Sequence, residues 1–178
     1  MSTCGVAELP LDAASADRIA RLFAADQKQI EAAMRRAVNK LGRWVRSTAL
    51  TEGARDSGVQ RKVLADRVRL TLGKNKRGVQ VWFGLWPVPL RLLKPKQTAT
   101  GVTAGPVDRR HAFIVTGRDG KRDVFRRSGD SAYPIFKQYH SVDDEIRRVL
   151  EVDVFPRLDA QFSKFFEQEL RWEVSKAR

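Results

Sequence analysis

The sequence predicts an α+β domain. Its expected order is a long N-terminal helix, a short helix, an antiparallel sheet of four or five strands with an extended Pro-rich arm, and a long C-terminal helix. Three observations predict it. Apolar residues recur at three- and four-residue steps near both ends, the period falls to two in the middle, and turn residues punctuate that middle. With 178 residues, 42% of them hydrophobic and 31% charged, a single domain over residues 1–178 is expected.

The N-terminal helix is expected over about residues 12–50. Ile19, Leu22, Phe23, Ile30, Met34, Val38, Leu41, Trp44 and Val45 form one apolar stripe. Asp12 or Ser15 supplies the cap, because a short side-chain oxygen accepts from a backbone N–H that the first turn leaves unpaired. Gly42 marks a close approach or a bend, and Gly53 to Gly58 ends the helix. Ser57-Gly58-Val59-Gln60 has the spacing of a capping box and opens a short helix from Val59 to about Ala65.

The basic β region with its arm spans about residues 57–139. Arg67 to Leu72 alternates polar and apolar, Gly73 to Gly78 reads as a turn, and Val79 to Gly84 as the returning strand. Lys74, Lys76 and Arg77 sit at that hairpin tip, placed to reach a phosphate. Trp82 and Phe83 fall in a run without charge from residue 78 to residue 90, so burial of Val79–Phe83 in the sheet core is the simplest account. Leu85 to Pro95 is interrupted by prolines and cannot be a central strand, since each proline removes a ladder donor. It is expected as an arm reaching a neighbouring subunit, with Arg91, Lys94 and Lys96 available to a partner. A second hairpin pairs His111–Thr116 with Val124–Arg127 across Gly117-Arg118-Asp119-Gly120, where Asp-Gly is a favoured turn pair. A short strand over Pro134–Tyr139 follows.

The C-terminal helix is expected over about residues 141–174. Ser141-Val142-Asp143-Asp144 is a capping box, with three acids at the positive end of the helix dipole. Pro156 either kinks the helix or opens a second one. Leu158, Phe162, Phe165, Phe166 and Leu170 carry the stripe onward.

Charge is the strongest compositional signal. The net of +13 divides into +1 for residues 1–42 (six cations, five acids), +14 for residues 43–127 (twenty, six) and −2 for residues 128–178 (eight, ten). A block this basic expects an acidic partner or nucleic acid. No run of apolar residues reaches the length of a membrane span, and residues 1–12 lack the regions of a secretory signal. Cys4 is the only cysteine, so no disulfide forms within the chain and synthesis in a reducing cytoplasm is expected.

Catalytic chemistry finds little support. His111 and His140 stand apart, and no zinc-ligand spacing, P-loop or nucleophile elbow is present. Asp143, Asp144 and Glu145 read as dipole-capping residues rather than a two-metal site. No cofactor and no enzymatic activity are expected. Arg61, Lys62, Arg67 and Arg69 beside Trp82 and Trp86 permit backbone tracking and base stacking. A sequence-nonspecific nucleic-acid-binding protein of a mobile element is therefore one of two readings.

The other rests on a motif series. Arg43-Trp44-Val45-Arg46-Ser47, Val59-Gln60-Arg61-Lys62-Val63-Leu64 and Arg67-Val68 resemble the minor tail protein Z family of phages and prophages. So do Val81-Trp82-Phe83-Gly84-Leu85, Val88-Pro89-Leu90 and Thr100-Gly101-Val102. Ala112-Phe113-Ile114, Val124-Phe125-Arg126-Arg127-Ser128-Gly129 and Pro134-Ile135 resemble elements found more widely among tail-completion and neck proteins. The likeness covers about Arg43 to Ile135 and departs from the pattern at His111, where a small residue, often Gly, is expected. The resemblance implies a structural virion protein of a long-tailed phage, made in the host cytoplasm and acting at the head-proximal end of the tail. Implied partners are further copies in a hexameric ring, the tail terminator, head–tail connector proteins and the double-stranded DNA end, with no membrane. In such a ring Trp44, Leu90, Leu92, Leu93, Phe162 and Phe166 are the candidate subunit-packing residues. The candidate partner or DNA-phosphate contacts are Lys74, Lys76, Arg77, Arg91, Lys94 and Lys96.

Overall fold

The longest helix starts where an aspartate competes for its own backbone. In the computed structural model, which describes residues 6–7, 17, 19, 21, 26–72, 78–118 and 120–176, Asp26 caps helix α1 (Gln27–Ser57). Its carboxylate accepts from Gln29 N at 2.8 Å, and Gln29 Oε1 accepts from Asp26 N at 3.0 Å. This reciprocal capping box satisfies two donors that the first turn orphans. Asp17, Ile19 and Arg21 are helical too, but Asp26 has an extended backbone. The expected single helix over 12–50 is therefore interrupted at Asp26, and the proposed caps Asp12 and Ser15 lie outside the described residues.

The far end of α1 also departs from expectation. Gly53 stays helical, and the missing side chain lets Ile146 approach: a Cβ there would lie 2.5 Å from Ile146 Cδ1. The helix ends at Gly58, whose φ of 65° is left-handed and suits glycine. Ser57 does not cap the next helix through a capping box. Its hydroxyl donates back to Gly53 O at 2.6 Å and accepts from Val59 N at 3.3 Å. Helix α2 (Arg61–Ala65) follows Gln60 without a side-chain cap.

Among the described residues four small antiparallel sheets replace the one expected sheet, while the α+β class holds. The first orders β1 (Val6–Ala7), β3 (Val79–Phe83) and β2 (Val68–Leu72) side by side. Val81 and Phe83 are buried and Trp82, between them, faces outward, so only alternate residues of this strand enter the core. Helix α1 crosses this sheet at Gly42, where a Cβ would meet Val79 Cγ1 at 2.4 Å; close approach, not a bend, explains that glycine.

The Pro-rich arm folds back on its own chain rather than projecting to a neighbour. Its β4 (Val88–Pro89) pairs with β11 (Tyr139–His140), and Leu90 N donates to Gln138 O at 3.1 Å. A 3-10 turn, Leu90–Leu93, then buries Leu90 and Leu93. Prolines surrender donors but keep acceptors, and Arg67 meets these: its guanidinium donates to Trp86 O and, at 3.2 Å, to Pro87 O.

Next come β5 (Lys96–Gln97), β6 (Gly101–Ala104) and β7 (Val107–Arg110), ordered β5-β6-β7. The β6–β7 hairpin was not expected, although Gly105-Pro106 is a turn signal and Gly105 has a φ of 57°. The remaining sheet orders β10 (Ile135–Lys137), β9 (Arg122–Arg127) and β8 (Ala112–Thr116), close to the predicted hairpin and following strand. Between β7 and β8, His111 adopts a φ of 60°. An L-residue there carries strain that glycine avoids. His111→Gly should stabilise the fold by about 0.5–1 kcal/mol, the relief of a left-handed Cβ less the extra entropy of an unfolded glycine. A higher urea midpoint at unchanged slope checks this.

The C-terminal path is helical throughout but not uniform. Helix α3 (Asp143–Val149) passes into a π turn (Leu150–Val154), a 3-10 turn (Phe155–Arg157) and helix α4 (Leu158–Lys176). Pro156 lacks an N–H and crowds the preceding turn, and the wide turn just before it gives the ring room. Ser141 does not cap α3: Val142 holds that position with no side-chain bond. Helix α4 packs along α1. Phe162 and Phe166 stack with ring centroids 5.8 Å apart in the main core, which also holds Ala33, Ala37 and Leu41 of α1.

Candidate interaction surface

Two ends of the molecule differ in what they leave unpaired. At the helical end, carboxylates and cations clasp α1 to α4. Arg36 pairs with Glu169 at 2.5 Å and also with Glu173, while Lys40 meets Glu169 at 2.5 Å. Trp172 lies between Arg36 and Lys176, 4.5 and 3.3 Å from its ring centroid. Burial by itself would raise the Glu169 carboxyl. The hydrogen bonds and charges of Lys40 and Arg36 together outweigh it and hold the group below the ordinary glutamate range. Because the folded value is the lower one, the stabilisation is present above the unfolded pKa, roughly 4.3, and is lost as pH falls through the folded value. Glu169→Gln should therefore lower stability at neutral pH by about 1–2 kcal/mol. It should also flatten the acid limb of the stability–pH curve, measured by urea unfolding between neutral pH and about pH 3.

At the sheet end, several cations lack such partners. Among the described residues, Lys94, Lys96, Arg110, Arg118, Arg122 and Arg126 meet no carboxylate. Lys94 has a left-handed backbone, φ 55°, that turns the chain out of the arm. Lys96 lies on β5 opposite Thr103. Arg91 approaches Asp123 at 3.8 Å, and Asp123 bonds Lys137 at 2.7 Å. So of the six cations singled out by sequence, Arg91, Lys94 and Lys96 belong to this end. Lys74, Lys76 and Arg77 lie outside the described residues.

No family model, no curated protein and no solved structure matches the chain.

The packing residues require correction. Leu90, Leu93, Phe162 and Phe166 are buried in this chain's own core, and Trp44 packs half-buried against it. Leu90, Leu93, Phe162 and Phe166 complete the core of a single copy and offer no surface for a second copy to cover, whereas Trp44 keeps part of its ring outside. Leu92 alone remains largely outside, 43% exposed.

Residues outside the contact candidates read from the sequence dominate the sheet end. Arg126 stands directly between Ala112 and Phe136 across the strands, and Arg127 lies over the Phe113 ring at 5.4 Å. His111, Phe113, Arg126, Arg127 and Ser128–Asp130 wall an open concavity of about 470 Å³. The paired arginines at 109–110 and 126–127 on short strands were the available signal. A second cluster alternates cations with rings: Arg69 over Trp82 at 5.7 Å, Trp82 against Trp86 at 5.2 Å, and Arg67 over Trp86 at 5.2 Å. Gly84 makes room for it, since a Cβ there would lie 2.3 Å from the Trp86 ring. Burial lowers the Arg67 guanidinium from its ordinary value, yet an arginine so far above neutrality remains charged.

Among the described residues no three His, Cys, Asp or Glu side chains converge, and no helix is long and apolar enough to cross a membrane. The surface offers charge, exposed rings and backbone edges: the materials of association.

Proposed function

We propose that the chain is a structural protein of a long-tailed phage particle. It would be a tail-completion component at the head-proximal end of the tail, supporting head–tail joining without catalysis. One observation carries the reading, the ordered motif series from Arg43 to Ile135. Its apolar members Val81, Phe83, Val88, Leu90, Val102, Ala112 and Val124 are buried together in one core, as residues that specify a common fold would be. The reading takes the protein as a hexameric ring between tail terminator and head–tail connector, its unpaired cations facing an acidic neighbour or the DNA end. Deleting the gene from the phage or prophage that carries it should leave heads and tails assembled but unjoined. Particles of normal infectivity would refute the proposal.

A second reading, a nucleic-acid-binding protein of a mobile element, is favoured by the unpaired cations and by Trp86, 44% exposed beside Arg67. It expects isolated protein to bind duplex DNA with an affinity that falls steeply with salt, and replacement of Lys74, Lys76 and Arg77 to weaken binding. Absence of retardation at low salt rules it out.

A further inference from the structure

We propose that the outer face of the β8–β9–β10 sheet is a platform for single-stranded nucleic acid. Side chains alternate across these strands. Ala112, Ile114 and Val124 turn inward, into the core or against it. Phe113, Val115, Phe125 and Ile135 turn the other way, and none of them belongs to the core or packs on it. The substantial contacts of the three strands are with one another, with β5 and β6 and with the Leu90–Leu93 turn. Among the described residues no helix covers this face. Phe113 and Phe125 stand directly opposite each other, in one row with Lys137. Two rings thus lie side by side on adjacent strands, half-buried, with part of each left to solvent.

Charge selects the occupant. Arg127 lies on the same face, its guanidinium 5.4 Å from the Phe113 centroid, and among the described residues it meets no carboxylate. Lys137 is held by Asp123 at 2.7 Å, and Arg91 approaches the same carboxylate, so cations outnumber the acid there. The face ends in the 470 Å³ concavity, which His111 walls together with Phe113 and Arg127. Asp130 in that wall is an acceptor suited to a base amino group. Tyr133, 76% exposed, stands on the β9–β10 loop at the same end. A polyanion with flat apolar faces answers both features: its phosphates meet the cations and its bases lie on the rings. Duplex DNA offers the phosphates alone, because stacking hides the faces of its bases, whereas an unpaired strand exposes both. An acidic peptide matches the cations, but charge alone leaves Phe113 and Phe125 wet. The proposal stands apart from both readings above. Gene deletion tests the first, and the second concerns duplex DNA and cations at another place.

The test is fluorescence anisotropy on the full chain with a labelled oligothymidylate, an oligouridylate and a DNA duplex, each about fifteen nucleotides long. Salt is held at about 0.05 M, where charge is little screened. An unpaired strand should bind about tenfold more tightly than the duplex, or better, and the tighter of the two strands names the sugar. Phe113→Leu with Phe125→Leu should weaken binding about fivefold or more, whereas Phe125→Tyr, which keeps the ring, should stay within about twofold. Arg127→Gln, at an exposed site, should flatten the salt dependence by about 0.7 in slope, one single-strand phosphate contact. Arg122→Gln removes the same charge from the opposite face and should change affinity by less than about twofold. Failure of both strands to bind, or duplex binding as tight as theirs, overturns the proposal. So does undiminished binding by the folded double-leucine variant. If that variant does not fold, cross-linking of an iodouracil-substituted strand to unaltered protein decides. Links to Phe113 or Phe125 support the platform, and links only elsewhere, as at Trp82 and Trp86, overturn it. Displacement of the strand by polyglutamate at equal charge overturns it in favour of an acidic protein partner.

Discussion

Leu90→Ala should destabilise the isolated protein by about 2–5 kcal/mol, while Leu92→Ala, two residues along, should change stability by less than about 0.5 kcal/mol. The contrast follows from burial: Leu90 is 1% exposed and Leu92 43%. Truncating Leu90 removes its transfer free energy and leaves a cavity that its setting resists closing. The preceding strand is pinned by β11, and Arg67 holds the carbonyls of Trp86 and Pro87. A free arm ordered only on assembly would give near-zero values at both positions in a single copy. Chemical denaturation monitored by tryptophan fluorescence decides between them, and equal small effects would show the arm to be loose.

Gly101→Ala should cost about 3 kcal/mol or more, the upper range for overpacking. A Cβ at Gly101 would lie 2.1 Å from the Arg109 carbonyl oxygen and 2.9 Å from Arg110 Cα. These are backbone atoms of the paired strand β7, so no rotamer change relieves the clash. The hairpin must open, and with it the bond from His111 N to Thr100 O at 2.9 Å that holds the start of β8. Loss of structure in β5–β8, seen as faster amide exchange there than in α1, is the accompanying signature. An unchanged urea midpoint would refute the close approach of these two strands.

Helices and hairpins were legible where period and turn chemistry agreed. The β8–β9 pair falls near its predicted place because Asp-Gly and alternating residues point the same way. At Asp26 they conflicted. The apolar stripe runs on through Phe23 and Ile30, but Asp26 and Gln29 have capping-box spacing and the local bonds win. Gly53 shows the converse: a residue read as a breaker stays helical because Ile146 needs the space. Absent side chains of this kind are explained only by a partner distant in sequence. The arm failed for a related reason. Prolines argue against a ladder, and nothing local reveals that Arg67 supplies the missing donors. The sheet-end cations were partly visible as a charge excess. Which of them lack partners depended on where the acids go, and Glu169 and Asp123 are held by particular cations in space.

The turn at Leu150–Val154 sets a rule about length. An α-helix rotates the chain by about 100° per residue, whereas the wide turn uses one residue more for nearly the same rotation. It therefore absorbs that residue locally, and α4 keeps the phase with which it packs along α1. Remove one residue between Leu150 and Val154 and an ordinary α turn closes with that phase intact, losing only the room beside the Pro156 ring. A second deletion exceeds what the wide turn holds in reserve, so in this stretch the chain tolerates a change of one in its count but not of two.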